Sequence, residues 1–130
     1  MKNIKKAIAE CMSDFQAAEN GGLNACFVFP EDFIGFQGHF PGNKILPGIC
    51  QIQCVLNMLE KWGKKRVVLK EVVLAKFLSP VSPLEKVMCA CNIINAPDRD
   101  ITLKAFFNKD GRKIAEVKLR VRFERETNEK

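Results

Sequence analysis

GHFPGNKILPGICQIQCVLNMLEKWG, residues 38–63, is the stretch that decides the fold. From position 49 onward Ile49, Ile52, Val55, Leu56, Leu59 and Trp62 recur at helical intervals, and Gly63 closes the run. Pro47 and Gly48 open it, because the fixed φ of proline suits the entry to a helix. Apolar residues cover most of the circumference, so the predicted helix 48–62 is a buried one. Immediately upstream, residues 31–47 lose all periodicity to Gly, Pro and aromatics, giving a loop long enough to need a functional reason.

Working outward, the rest of the chain supplies what could bury such a helix. Ile4, Ala7, Ile8, Cys11, Met12 and Phe15 fall at helical spacing and predict a short amphipathic helix over 2–16, ended by Gly21-Gly22. Leu23, Ala25, Phe27 and Phe29 alternate on one face of a strand that Pro30 stops. Further strands are predicted at 66–78, 85–95, 100–108 and 112–124, the last two joined by the hairpin signature Asn108-Lys109-Asp110-Gly111. Along the final strand Val117, Leu119, Val121 and Phe123 alternate with Lys118, Arg120, Arg122 and Glu124, one side for the core and one for water. Alternation of this kind marks antiparallel pairing, and so long a sheet must curl around the helix to bury it. The expected fold is therefore α+β, a single hotdog domain over 1–130 with strands to 124 and only Glu126–Lys130 as a frayed tail.

Composition agrees with one domain: 130 residues, 47% of them hydrophobic, make one real core and leave no room for a second. No membrane span and no secretion signal is expected, since polar residues interrupt every apolar stretch. Cys11, Cys26, Cys50, Cys54, Cys89 and Cys91 sit inside apolar-patterned segments, which suits reduced core thiols in a cytoplasmic protein. A metal site would need Cys50 with Cys54, or Cys89 with Cys91, plus ligands that no nearby motif supplies, so no metal and no cofactor is expected. The net charge of +6 permits acidic partners without choosing among them. With no basic and aromatic interleaving of the kind that stacks bases, nucleic acid is not an expected partner.

Gly38-His39-Phe40-Pro41-Gly42 followed by Ile45-Leu46-Pro47-Gly48 resembles the signature of the beta-hydroxyacyl-[acyl carrier protein] dehydratases, enzymes of fatty-acid biosynthesis with the hotdog fold. Lys76-Phe77-Leu78-Ser79-Pro80-Val81-Ser82-Pro83 is similar to the Phe-x-x-Pro-Val-x-Pro strand end of that family, and the likeness runs over roughly residues 23–124. The resemblance implies that His39 takes a proton from the carbon next to a thioester carbonyl. It implies that the Gly48 N–H at the helix start holds the developing charge, with Phe40, Pro41, Pro47 and Ile49 lining the substrate. A carboxylate fourteen residues after the histidine would protonate the departing hydroxyl, in a site formed across a dimer. Physical chemistry independently favours two of these parts: imidazole titrates near neutrality, and a helix N-terminus offers unpaired N–H groups.

The chain departs from the pattern where it matters most, because fourteen residues after His39 stands Gln53. An amide has no proton to deliver, although it donates and accepts hydrogen bonds. Gln51 points elsewhere on the helix, Glu60 lies two turns on, and Glu31 and Asp32 read as solvated loop acids. Leu84 also replaces the Gly that commonly follows the proline matched by Pro83, a change to a turn rather than to the chemistry. The leading expectation is a 3-hydroxyacyl-[acyl carrier protein] dehydratase-like hydro-lyase on acyl carrier protein or acyl-CoA thioesters. It would be a homodimer or an oligomer of dimers, with Gln53 as a polar positioner. The alternatives are a half-catalytic or non-catalytic subunit paired with an active homologue, and, below that, an acyl thioesterase. Lys44, Lys64, Lys65 and Arg66 are the candidate carrier-docking cations.

Overall fold

Helix α2 (Gly48–Gly63) is the axis of the structure, a computed structural model that describes residues 3–36, 44–96 and 100–125. Cys54, Val55, Met58 and Leu59 on this helix are fully enclosed, and Ile52 and Leu56 nearly so. Each large apolar side chain removed from water in this way contributes about 1.5–3 kcal/mol. The helix ends on Lys64, whose φ of 58° is the left-handed cap conformation and whose N–H reaches Glu60 O. Gly63 belongs to the last helical turn instead, where a β-carbon would meet the ring of Phe123 at 2.6 Å.

Six antiparallel strands wrap this helix: β1 (Met12–Ala17), β2 (Gly22–Val28), β3 (Val67–Phe77), β4 (Lys86–Asn95), β5 (Asp100–Lys109) and β6 (Arg112–Phe123). Their spatial order is β1-β2-β4-β5-β6-β3, so that β1 and β3 are the edges. The expected alternation is present: Leu23, Ala25, Phe27 and Phe29 face inward from β2 and its end, Ile101, Leu103, Ala105 and Phe107 from β5, and Val117, Leu119 and Val121 from β6. The β5–β6 hairpin pairs Lys109 with Arg112 around Asp110 (φ 53°) and Gly111 (φ 77°). Both central residues at positive φ match the twist of the flanking strands, as the Asp-Gly dipeptide predicts. This is the α+β hotdog arrangement read from the sequence. Among the described residues no helix is long and apolar enough to cross a membrane.

The N-terminal segment differs from expectation. Helix α1 spans only Ile4–Cys11, capped by the Asn3 side chain on Lys6 N at 2.7 Å, and the chain then becomes strand β1 rather than continuing to residue 16. Met12 and Phe15 still pack on the core, which is why they fitted a helical spacing. The competing interaction is the ladder with β2, made possible by an irregularity between Ser13 and Gln16 at which Asp14 takes φ 55°. Gly21 (φ 91°) turns the chain into β2 rather than ending a helix.

Five cysteines are buried and Cys11 is half-buried, and all are free thiols. Burial raises the Cys54 and Cys89 thiols well above their ordinary range and pushes Cys91 up to about 12. They are protonated core side chains, as the apolar patterning implies.

Leu84 explains the glycine it replaces. Its φ is 68°, its N–H bonds to Phe29 O at 2.8 Å, and its side chain is 64% exposed. A leucine in the left-handed region costs about 1–2 kcal/mol, and here little burial compensates for it. Leu84→Gly is therefore expected to stabilise the fold by about 1 kcal/mol net of the added chain entropy, raising Tm by about 3 °C. A lower Tm by calorimetry would contradict this account of the turn.

Candidate functional site

The segment that leads into α2 is held by the chain that follows β3. Leu46 N donates to Val81 O at 2.8 Å, and Leu78 N to Ile114 O at 2.8 Å, so the helix start and the end of β3 are clamped side by side. Pro47 occupies the N-cap with extended backbone (φ −63°, ψ 148°) and offers no side-chain cap. Cys50 N turns back to Pro47 O at 3.0 Å, while the Gly48 N–H has no partner among the described residues. It is one of the orphan donors that every helix start leaves, here carrying the positive end of the helix dipole.

Beside it lies a cavity of about 270 Å³ lined by Ile45, Leu46, Gly48, Gln51 and, from the end of β3, Phe77 to Pro80. Glycine at its rim lets the ring of Phe77 lie against the helix start, because a β-carbon at position 48 would stand 2.7 Å from that ring. Gln51 is the residue that sequence reasoning set aside. It is 3% exposed, and its Oε1 is buried without a hydrogen-bond partner among the described residues, a state that costs about 1–3 kcal/mol until a donor arrives. The signal was available: Gln51 follows Gly48 by three residues and so shares its face of the helix.

Gln53 stands on another face. Five residues beyond Gly48 at 100° per residue place it about 140° around the axis and about 7.5 Å along it. Its Nε2 donates to Asn57 Oδ1 at 2.8 Å, and Asn57 Nδ2 donates to Lys5 O at 2.9 Å. One chain therefore does not bring Gln53 to the Gly48 cavity. Ile49, at 66% exposure, projects from the same open side of the helix as Gln53, whereas Pro47 stands at the cap. The expectations for His39, Phe40 and Pro41 fall on residues 37–43, which lie outside the described residues.

The acids weighed as substitutes for a carboxylate at position 53 are accounted for elsewhere. Glu60 pairs with Lys5 at 2.6 Å and accepts Val67 N at 2.8 Å, so it ties α1, α2 and β3 together. Glu31 and Asp32 are exposed, as solvated loop acids should be. Of the candidate docking cations, Lys44 reaches Glu31 O at 2.9 Å near the helix start. Lys64, Lys65 and Arg66 follow the opposite end of α2, about 22 Å along its axis from Gly48. Within one chain they cannot flank the cavity mouth. Among the described residues no group of three or more His, Cys, Asp or Glu side chains is placed to hold a metal.

The profile of the ApeI-like family, described as ApeI dehydratase, matches residues 16–124. A 3-hydroxyacyl-[acyl-carrier-protein] dehydratase FabZ from Ehrlichia chaffeensis is 28% identical over 97 residues, which cover 71% of this chain and 66% of that protein. The chain thus spans about two thirds of that relative's length. Among solved structures, the dehydratase heterocomplex ApeI:P from Xenorhabdus doucetiae superposes with a TM-score of 0.74 at 17% identity, over 85% of this chain and 96% of that one. A putative thioesterase from Ralstonia eutropha, related to phenylacetic acid degradation, gives 0.62 at 14% identity over 84% and 83%. Both structural likenesses are to the shared fold. The profile match over most of the sequence decides the family: this chain belongs to the ApeI-like dehydratases, within the hotdog dehydratases that include FabZ.

Proposed function

We propose that the protein acts on 3-hydroxyacyl thioesters of acyl carrier protein or coenzyme A, as a dehydratase-like hydro-lyase whose general acid is absent. The observation that carries this reading is the unpartnered Gly48 N–H at the start of a buried helix, beside a cavity with a buried acceptor, in a chain of a dehydratase family. A thioester carbonyl seated on that N–H has its α-proton acidified, since the enolate charge falls on an oxygen already facing the helix dipole. His39 removes the proton from C2, the C3–O bond breaks, and the departing hydroxide takes up a proton to leave as water. Gln53 holds the hydroxyl or a water but has no proton of its own to give. The proton taken by His39 returns to the leaving group through such a water, and no cofactor enters.

Two chains complete the site in this reading. Gly48 and Gln53 lie on different faces of α2, so one substrate meets both only if a second protomer lies against the first. Strand β3 is an edge of 11 residues with Val68, Val72, Val73 and Phe77 exposed, and Leu78 just beyond it exposed too. An edge of that length and apolarity is a template for pairing with another chain, and its end lines the cavity. Buried, protonated thiols suit a reducing cytoplasm.

A second reading has its own support: the chain is the half-catalytic partner of a homologue that supplies a carboxylate. Gln53 favours it, and the ApeI:P structure is itself a complex of two different chains. One assay separates the readings. The pure chain and its Gln53→Glu and His39→Ala variants are incubated with a 3-hydroxyacyl carrier thioester, and the product is identified by mass. A working parent that loses about 10²- to 10⁴-fold in His39→Ala supports the dehydratase. An inert parent that becomes active in the Gln53→Glu variant or with a co-encoded homologue supports the half-site. Release of free acid would identify a thioesterase and overturn both.

Gly48→Ala tests the oxyanion position separately. Alanine gains up to about 1 kcal/mol of helix propensity, so Tm is expected to hold or rise. The methyl displaces Phe77 into the cavity mouth, and turnover should fall at least tenfold. Unchanged turnover would remove Gly48 from the site.

A further inference from the structure

The hydrogen bonds from Lys5 through Asn57 to Gln53 have a direction that chemistry alone dictates. A backbone carbonyl only accepts, so Asn57 must turn its Nδ2 toward Lys5 O, at 2.9 Å. That leaves Asn57 Oδ1 facing Gln53, and an oxygen there calls for a donor, so Gln53 must turn its Nε2 inward, at 2.8 Å. Gln53 Oε1 is then left facing away from Asn57, with no partner among the described residues, and so is the second N–H of Nε2. Asn57 is 7% exposed, and neither amide can flip without setting two oxygens against each other. We propose that this relay makes Asn57 a positioning residue that fixes Gln53 as an outward-facing acceptor. The site then recognises the 3-hydroxyl of its ligand by accepting that hydrogen at Gln53 Oε1, while one N–H of Nε2 is held by Asn57. The inference rests on the reading of the site given above and names what residue 53 does there.

The same polarity governs a carboxyl placed at position 53. In Gln53→Glu the atom facing Asn57 Oδ1 must be a protonated oxygen, since an ionised carboxylate would meet another oxygen. The neutral acid is hydrogen-bonded and the charged one is not, so the relay raises the pKa of the introduced carboxyl. The charged groups around Asn57 are Lys5, Lys6 and Lys61 with Asp14 and Glu60, which line the adjoining groove. Lys5 and Glu60 neutralise each other at 2.6 Å. The surplus there is cationic and would lower the pKa, so a raised value reports the relay rather than its surroundings.

The primary measurement is a carbon-13 NMR titration of the introduced carboxyl in Gln53→Glu and in Gln53→Glu/Asn57→Ala. The single variant is expected to titrate above about 6, and the double variant to fall back toward the ordinary value of about 4.3. An ordinary titration in the single variant overturns the relay, whatever the activity. If these two variants do not fold, nitrogen-15 labelling of glutamine in the wild-type chain reads the same polarity. One Gln53 side-chain amide proton should be shifted downfield and slow to exchange, and both features should vanish in Asn57→Ala. Fast exchange in the wild-type chain overturns it. For recognition, a 3-hydroxyacyl pantetheine thioester should bind about five- to tenfold tighter than its 3-deoxy analogue, and Gln53→Leu should erase the difference. Equal binding of the two ligands with an intact relay removes the hydroxyl from Gln53. Binding of neither would fail the substrate reading itself and leave the titration to judge the relay.

Discussion

Everything in this molecule follows from the need to hide one helix. Cys54, Val55, Met58 and Leu59 close most of the circumference of α2 to water along its middle, and only a sheet long enough to curve can cover them. The helix ends then have to emerge somewhere at the rim. At the N-terminal end the rim is closed by the segment from Phe77 to Val81, hydrogen-bonded to Leu46 on one side and to Ile114 on the other. The positive end of the helix dipole is thus delivered to an open cavity at the rim, beside Gly48. The placement of the Gly48 N–H is a by-product of packing: the same burial that stabilises the fold brings the end of the helix dipole to the rim.

Closure at the other end has a different character. Glu60 holds Lys5 and the Val67 N–H together, and Gly63 lets Phe123 lie against the helix. These contacts fix the rotation of α2 about its own axis relative to α1 and β3. That rotation decides which residues look into the Gly48 cavity and which look away, so Gln51 is enclosed while Ile49 and Gln53 face outward. A helix rotated by about 150° would exchange the two sets.

The helix and most of the strands from Gly22 on were legible because their periods are clean and each is long, whereas β3, exposed over much of its length, carries no such period. The β5–β6 turn was legible because Asp-Gly is nearly a geometric statement. The N-terminal helix was overrun, since Met12 and Phe15 satisfy a helical spacing and the ladder to β2 that claims them is made by residues far along the chain. Leu84 shows the converse case: a residue at odds with its backbone is invisible in its own sequence and plain once φ is known. In the site, the spacing of Gly48, Gln51 and Gln53 was readable, and so was the division of faces it implies. The orphaned Gln51 oxygen was not, because whether a buried amide is satisfied depends on every neighbour at once.

Gln53 gains its meaning from the same logic. Its neighbour four residues on could have been named from sequence as a helical side-chain pair, yet the direction of the bond could not. Direction enters from Lys5, in another helix, through a carbonyl that can only accept. Replacing a carboxylate by an amide is usually read as the loss of a proton. Where an Asn behind it already fixes which end faces inward, the replacement also settles what remains, an acceptor of set orientation with no charge to desolvate. A carboxylate in that place would set two acceptors against each other at Asn57 Oδ1, a repulsion that only protonation or a rearranged Asn57 could relieve. The amide is thus matched to the relay beneath it, and residues 53 and 57 are best understood as one unit whose chemistry neither shows alone.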